Sequence, residues 1–371
     1  MKIVVAIDSF KGSLTSLQAG AAVRAAALQV NADAQVVVKP LADGGEGTVD
    51  AFGESADAQM VELTVRGPLG KPVSAKYCIL KNTDTAVIEM AAAAGITLLS
   101  QEERNPLETT TYGVGELIRD AIRRGCRRFL VGIGGSATND GGTGMLTALG
   151  YQFLDQGGRP IALGAKGLAD LAEIRADEVL PELKACRFQI ACDVTNPLCG
   201  QQGCSAVFGP QKGATPEMIR DMDRWLENYA RLAKADPLCP GAGAAGGMGF
   251  GFLAFTNARL RPGVQIVLDE IKLEADIIAA DLVVTGEGRL DAQTVMGKAP
   301  IGVAGLAKKY GKRVIAFSGC VTEEAEVCNA HGIDAFFPIL RTVTTLEEAL
   351  EPTNAYQNLV ATACQVFRLL L

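Results

Sequence analysis

Four short segments combine carboxylates, basic side chains and glycine in ways that suit phosphoryl chemistry. They are Asp8-Ser9-Phe10-Lys11-Gly12-Ser13, Asp43-Gly44-Gly45-Glu46-Gly47-Thr48, Gly286-Glu287-Gly288-Arg289-Leu290-Asp291 and Ser318-Gly319. Glycines let backbone N–H groups approach phosphate oxygens, carboxylates can hold Mg²⁺, and Lys or Arg can neutralise developing charge. A fifth run, Gly134-Gly135-Ser136-Ala137-Thr138-Asn139-Asp140, is followed by Gly141-Gly142. Helix capping by Asp140 does not require seven small or polar residues in a row, so this loop reads as an anion or substrate site. In Gly209-Pro210-Gln211-Lys212-Gly213-Ala214-Thr215 one lysine precedes a helix start, an arrangement suited to phosphate. Each motif also has a plainer reading: Asp43 with Glu46 fits a capping box, Thr15 or Ser16 with Gln18 fits a helix start, and the lysine turn fits a surface loop.

Other chemistries lack their central group. The single histidine, His331, lies in Asn329-Ala330-His331-Gly332, which reads as a helix end. A Ser-His-Asp hydrolase, a His-ligated metal site and a histidine-dependent dehydrogenase are therefore disfavoured, and a carboxylate is left as general base. Gly241-Ala242-Gly243-Ala244-Ala245-Gly246 matches G-x-G-x-x-G but follows Pro237–Pro240 rather than a strand, and Gly297-Lys298 lacks both the upstream glycine and the following hydroxyl of a P-loop. The ten cysteines have no metal-site spacing and suit buried free thiols in a reducing cytoplasm. A formal charge of −7 argues against a nucleic-acid partner, and no apolar run has the length of a membrane span.

The elements that must position these loops follow from hydrophobic patterning. Segments 2–7, 34–39, 281–285, 312–317 and 334–338 read as short β-branched strands, alternating with helical patterns at 17–28, 298–310 and 322–331. That alternation predicts βαβ units and a parallel sheet, with the polar loops at the carboxyl ends of its strands, where ligands bind in open α/β sheets. Between them, 60–66, 72–80 and 85–90 are strand-like runs joined by turn signals typical of antiparallel hairpins. A helix at 113–124, strands at 127–133 and 187–192, and an amphipathic helix at 216–233 capped by Thr215 complete this middle region. A chain of 371 residues exceeds what one core normally holds. The expected architecture is α/β with two domains: a doubly wound parallel sheet from 1–59 and 280–371, and an inserted mixed α/β domain from 60–279. An amphipathic final helix, 354–371, covers the first.

Taken together, the motifs resemble the bacterial type I glycerate kinase family, from Met1 to Leu371. Besides the loops at Asp8–Lys11, Ala42–Thr48, Ile133–Gly142 and Thr285–Asp291, the match includes Cys192-Asp193-Val194-Thr195-Asn196-Pro197 and Phe208-Gly209-Pro210-Gln211-Lys212-Gly213. The sequence departs from the pattern at Ile7, where proline is usual, and at Gly12, where many members have glutamate. The resemblance implies a flavodoxin-like domain plus an inserted α/β domain, an active site in the cleft between them, and transfer of the ATP γ-phosphoryl group to the 2-hydroxyl of D-glycerate.

Within that reading Asp193, at the end of a strand, is the expected general base, and Asp43, Glu287 and Asp291 are expected to hold Mg²⁺. Lys11, Lys212 and Arg289 would grip phosphate oxygens or the glycerate carboxylate. Ser9, Ser136, Thr138, Asn139 and Asp140 would orient substrate, while Ser13, Gly44, Gly45, Gly286 and Gly288 would line the nucleotide phosphates. The rival readings are a nicotinamide-dependent hydroxy-acid oxidoreductase, which needs a strand-linked glycine fingerprint absent here, and a non-enzymatic ligand sensor on the same scaffold. The 3-position of glycerate is the alternative acceptor.

Overall fold

The computed structural model describes residues 1–54 and 57–370. Its contacts divide the chain into two compact units, Met1–Ser55 with Val264–Leu371, and Ala56–Gly263. The chain begins with β1 (Lys2–Ile7), crosses by the helix Ser16–Val30 and forms β2 (Gln35–Pro40). It then builds the second unit from β3 (Ala58–Arg66), β4 (Pro72–Leu80), β5 (Thr85–Glu89), β6 (Arg128–Gly132), β7 (Gln152–Leu154), β8 (Glu173–Arg175), β9 (Arg187–Ala191) and β10 (Ala258–Arg261). The last strands, β11 (Leu282–Leu290), β12 (Arg313–Val321) and β13 (Ala335–Pro338), return to the first unit.

In the first unit the sheet order is β13-β12-β11-β1-β2, and every pairing is parallel. Numbered within that unit alone, this is the 2-1-3-4-5 order of flavodoxin-like folds, whose strand order reverses between the strands here called β1 and β11. β1 is buried from Ile3 to Ile7, as expected for a central parallel strand covered on both faces. The helix Ser16–Val30 opens with Thr15 and Gln18 in a reciprocal capping box and lays Ala19, Ala22, Val23, Ala26 and Ala27 on the sheet. Its Ser16 hydroxyl donates to Ile7 O at 2.7 Å and accepts from Leu41 N at 2.8 Å, so one buried side chain ties together the carboxyl ends of β1 and β2. The last helix, Pro352–Leu370, contributes Leu359, Ala363 and Phe367 to the same core. Leu371 lies outside the described residues.

The second unit holds a six-stranded sheet of order β10-β9-β6-β5-β4-β3. β3, β4 and β5 pair antiparallel, and the remaining pairings are parallel. Phe129 on β6 stacks on Phe188 of β9, with ring centroids 4.7 Å apart. The helix Pro216–Ala233 buries Met222, Leu226 and Tyr229, the apolar stripe read from its sequence.

Two expectations need correction. The segment Gly286–Leu290 is not a loop, because β11 continues to Leu290 and stays in register with β12 as far as Val321. Gly286 makes this possible, since a Cβ there would lie 1.9 Å from Phe317 O. Ser318 and Gly319 likewise belong to β12. The second crossing between units falls at 263/264 rather than 279/280. Residues 264–279 stay with the first unit because Lys39 of β2 pairs with Asp276 at 3.1 Å and donates to Ile271 O, and Gly302 leaves room for Val264.

Candidate active site

At the strand-order reversal of the first unit, the carboxyl ends of β1 and β11 open onto a cavity of about 350 Å³. Its polar lining includes Asp8, Ser9, Lys11, Ser13, Asp43, Glu287, Gly288, Arg289, Asp291 and Lys298. Asp8 follows β1 directly, and its own amide donates to Gly286 O at 2.9 Å, fixing the two strand ends against each other. Burial pushes the Asp8 carboxyl up to about 7, and the nearby charges of Asp43 and Glu287 push in the same direction. Ser9 N offsets part of this with a hydrogen bond of 2.7 Å to Asp8 Oδ1.

Glu287 is raised by burial, opposed by a 2.7 Å hydrogen bond from Thr294 Oγ1 and by the Lys298 ammonium at 3.8 Å. Burial acts to raise Asp291 too, but Lys298 at 3.4 Å and the Gln293 amide outweigh it and hold that carboxyl low. Arg289 lies 3.6 Å from Asp291. Asp43 accepts the Gly45 amide at 2.8 Å across a tight turn in which Gly44 has φ 87°. The helix Thr48–Gly53 starts from Gly47 with no side-chain cap, so Asp43 and Glu46 do not form the capping box their spacing allows. Ser13 Oγ is buried and meets no hydrogen-bond partner among the described residues. The site therefore joins four carboxylates to Lys11, Arg289 and Lys298. Lys298 and Thr294 are additions to the sequence expectation, and Asp8, there only one member of a motif, takes a place of its own; Gly297-Lys298 fails the P-loop pattern, so nothing local singles out Lys298.

The second unit carries the other predicted residues. The loop after β6 is held from beneath by Lys212, whose ammonium donates to Ser136 Oγ at 2.8 Å and Thr138 O at 2.6 Å. Lys212 is buried, which pushes its pKa down to about 8 against the partial support of Cys204 and Asp140. Asn139 donates to Ser205 Oγ at 2.8 Å. Asp140 is wholly buried and accepts from Thr111 N and Oγ1, both at 2.9 Å, from Gly142 N at 3.1 Å and from Gly144 N at 3.3 Å. It thereby satisfies amides at the start of the helix Thr143–Ala148 and ties that start to Thr111, the residue preceding the helix Tyr112–Arg123. Sequence reasoning sets Lys212 and Asp140 against ligand; the structure surrounds both with protein. Thr138 Oγ1 and Asn139 Oδ1 are buried and meet no hydrogen-bond partner among the described residues.

The G-x-G-x-x-G match has a packing explanation. A Cβ on Gly246 would stand 1.9 Å from Thr138 O, and Gly246 O accepts the Gly141 amide at 3.0 Å. These glycines let one backbone lie against the loop 138–141. Asp193 follows β9, is exposed, and accepts the Gly263 amide at 3.0 Å, so it is tethered rather than the lone acid its position in the sequence suggests. His331 ends a short helix, with Nδ1 2.9 Å from Val327 O, in keeping with a structural reading. Among the described residues, no group of three or more His, Cys, Asp or Glu side chains forms a ready cation cage, and no helix is long and apolar enough to cross a membrane.

Comparison with known proteins bears on what this arrangement serves. A Haemophilus influenzae glycerate kinase is 48% identical over 377 residues, covering 100% of this chain and 99% of the relative. An Escherichia coli glycerate 2-kinase is 46% identical, covering 97% and 95% respectively. A crystal structure attributed to glycerate kinase 2 of Salmonella typhimurium LT2 superposes with a TM-score of 0.92 at 48% identity, over 100% of this chain and 98% of that one. Residues 3–371 match the glycerate kinase family, so the chain whose strand ends carry these carboxylates and lysines belongs to that family over essentially its whole length.

Proposed function

We propose that the protein transfers the γ-phosphoryl group of ATP to the 2-hydroxyl of D-glycerate, giving 2-phospho-D-glycerate and ADP. The observation that carries this reading is the convergence of Asp8, Asp43, Glu287 and Asp291 with Lys11, Arg289 and Lys298 at the strand-order reversal of the first unit. Carboxylates gathered in a buried site fit a divalent cation, whose charge would offset the burial, and the repulsion from Asp43 and Glu287, that raise Asp8. Mg²⁺ commonly takes one or two protein carboxylates and completes its shell from phosphate and water oxygens, so the donors here suffice without a preformed cage. One or two of Asp43, Glu287 and Asp291 would hold it, where it would neutralise charge on the phosphate oxygens.

Lys11, Arg289 and Lys298 would orient the triphosphate, and the unpartnered Ser13 hydroxyl and the Gly44, Gly45 and Gly288 backbone would meet its oxygens. In the second unit, the unpartnered Thr138 and Asn139 oxygens mark the loop that would take the small acid, with Ser136. Ser9 stays a candidate contact to substrate from the first unit. Lys212 and Asp140 would act from inside the protein, holding that loop in shape. Asp193, tethered by Gly263, would accept the proton of the attacking hydroxyl. The ten free cysteines fit a cytoplasmic setting.

The test incubates pure protein with ATP, Mg²⁺ and D-glycerate, couples ADP release to an optical readout, and identifies the product by phosphorus NMR. Glycerate-dependent ADP with 2-phosphoglycerate is the expected result. Formation of 3-phosphoglycerate would keep the kinase and move the acceptor atom, and no ADP would reject the activity.

A further inference from the structure

The cavity at the ends of β1 and β11 also has a chemically different lining. Besides the charged cluster, which comes from the chain after β1 and β2 and from β11 and the segment after it, the lining includes Ile339, Leu340, Leu346, Ala349, Leu350 and Ala355, all from the chain beyond the edge strand β13. Three of these are unusually bare for leucine: Leu340 is 39%, Leu346 75% and Leu350 37% exposed. Leu346, Ala349 and Leu350 lie at i, i+3 and i+4 of the short helix Leu346–Leu350 and so share one face. That helix opens with a reciprocal capping box between Thr345 and Glu348, yet none of its residues is buried. Its apolar face thus contributes little to the core and borders the cavity instead.

We propose that this wall is the seat of the nucleobase of the phosphoryl donor, an inference that rests on the kinase reading above. One cavity is lined both by carboxylates and cations carried near β1, β2 and β11 and by aliphatic side chains from the chain beyond β13. A nucleoside triphosphate has that same division, a polyanionic chain joined to a flat ring whose faces are poorly hydrated. Inorganic phosphate donors would leave the aliphatic lining wet, and a bulky apolar ligand would leave the charges unmatched. Leu346 and Leu350 cover the ring, and Ile339 and Ala355, both 2% exposed, form the floor beneath it.

The test has two arms. Leu346→Glu combined with Leu350→Glu changes residues that bury little, and is expected to raise KM for ATP about tenfold or more while KM for D-glycerate stays within about twofold. An unchanged KM for ATP overturns the assignment. Calorimetry on the wild-type chain with Mg²⁺ compares ATP with inorganic tripolyphosphate; ATP is expected to bind at least about tenfold more tightly, and equal affinities overturn the assignment whether or not the double variant folds. Wild-type protein that binds ATP in preference to tripolyphosphate but makes no ADP with D-glycerate would sink the glycerate kinase activity and leave the base wall standing.

Discussion

Asp193 and Lys212 show what residue type and spacing reveal and what they conceal. Both stand in motifs legible in the sequence, but neither burial nor partner can be read there. Asp193 reads as a solitary acid, and its partner Gly263 is seventy residues away in the chain. If it takes the acceptor proton, Asp193→Asn should lower kcat by about two to four orders of magnitude with a smaller change in KM, the loss usual for a positioned base. A decrease of less than about threefold in a steady-state assay would remove it from that role. Lys212 reads as a lysine set before a helix start to grip phosphate, whereas the turn Pro210–Lys212 directs its ammonium inward to Ser136 and Thr138. Its proton is held weakly, with pKa about 8, so by basicity alone it should be a good nucleophile near neutrality. Burial predicts the reverse. An amine-directed acylating reagent followed by peptide mass mapping should label the exposed Lys11 in the native protein and reach Lys212 only after unfolding. Equal labelling of the two would mean that Lys212 faces solvent, reopening its direct contact with phosphate.

Elements set where those side chains end up, and glycine divides its work between them in two ways. In the run Gly241–Gly246 it is needed because two backbones touch, a requirement that only the partner loop reveals; the sequence shows merely a false nucleotide fingerprint. Gly246 has φ 67° and no room for a Cβ beside Thr138 O. Gly246→Ala should therefore cost about 2–4 kcal/mol and displace the loop carrying Ser136, Thr138 and Asn139. Chemical denaturation and the glycerate KM would show both effects. Gly305 provides the contrast, since it lies exposed within the helix Ala299–Lys309 and a Cβ added there would meet nothing within 4 Å. Gly305→Ala should gain about 0.4–1 kcal/mol and leave kinetics unchanged. If the two substitutions had the same effect, the close approach of Gly246 to Thr138 would not be a feature of the folded protein. Secondary structure itself is more legible. β1 and β2 lie within about a residue of their expected bounds and the helix Pro216–Ala233 follows its apolar period, while β11 overruns its expected end because its last five residues carry the polar motif and are held in the sheet by pairing with β12.

At the scale of the whole molecule, the alternation of strands and helices at both chain ends is sufficient to anticipate a parallel sheet with polar loops along one edge. The order of its strands is not legible in the same way, because local periodicity carries no neighbour information. That order places Asp8 of the first strand beside Glu287 of the third strand in the unit, and so gathers acids from opposite ends of the sequence. Gathering them has a thermodynamic consequence. The Asp8 carboxyl titrates near 7 in the folded chain against an ordinary value of 3.8, so between those values the folded protein binds a proton that the unfolded chain does not. Its stabilising contribution is full below about pH 4, declines as pH rises, and is gone above about pH 7. Asp8→Asn keeps the neutral shape at every pH. The unfolding free energies of variant and wild type should therefore coincide near pH 4 and diverge through neutrality, with the variant more stable at pH 8 by at most about 4 kcal/mol. Other titrating groups cancel in that difference unless they couple to Asp8, as Asp43 and Glu287 do, and coupling broadens the transition without reversing its sign. Mg²⁺ with ATP should narrow the gap at pH 8, since a cation among the carboxylates removes the repulsion that the substitution also removes. A gap that is independent of pH would show that neither burial nor the neighbouring acids raise the Asp8 carboxyl.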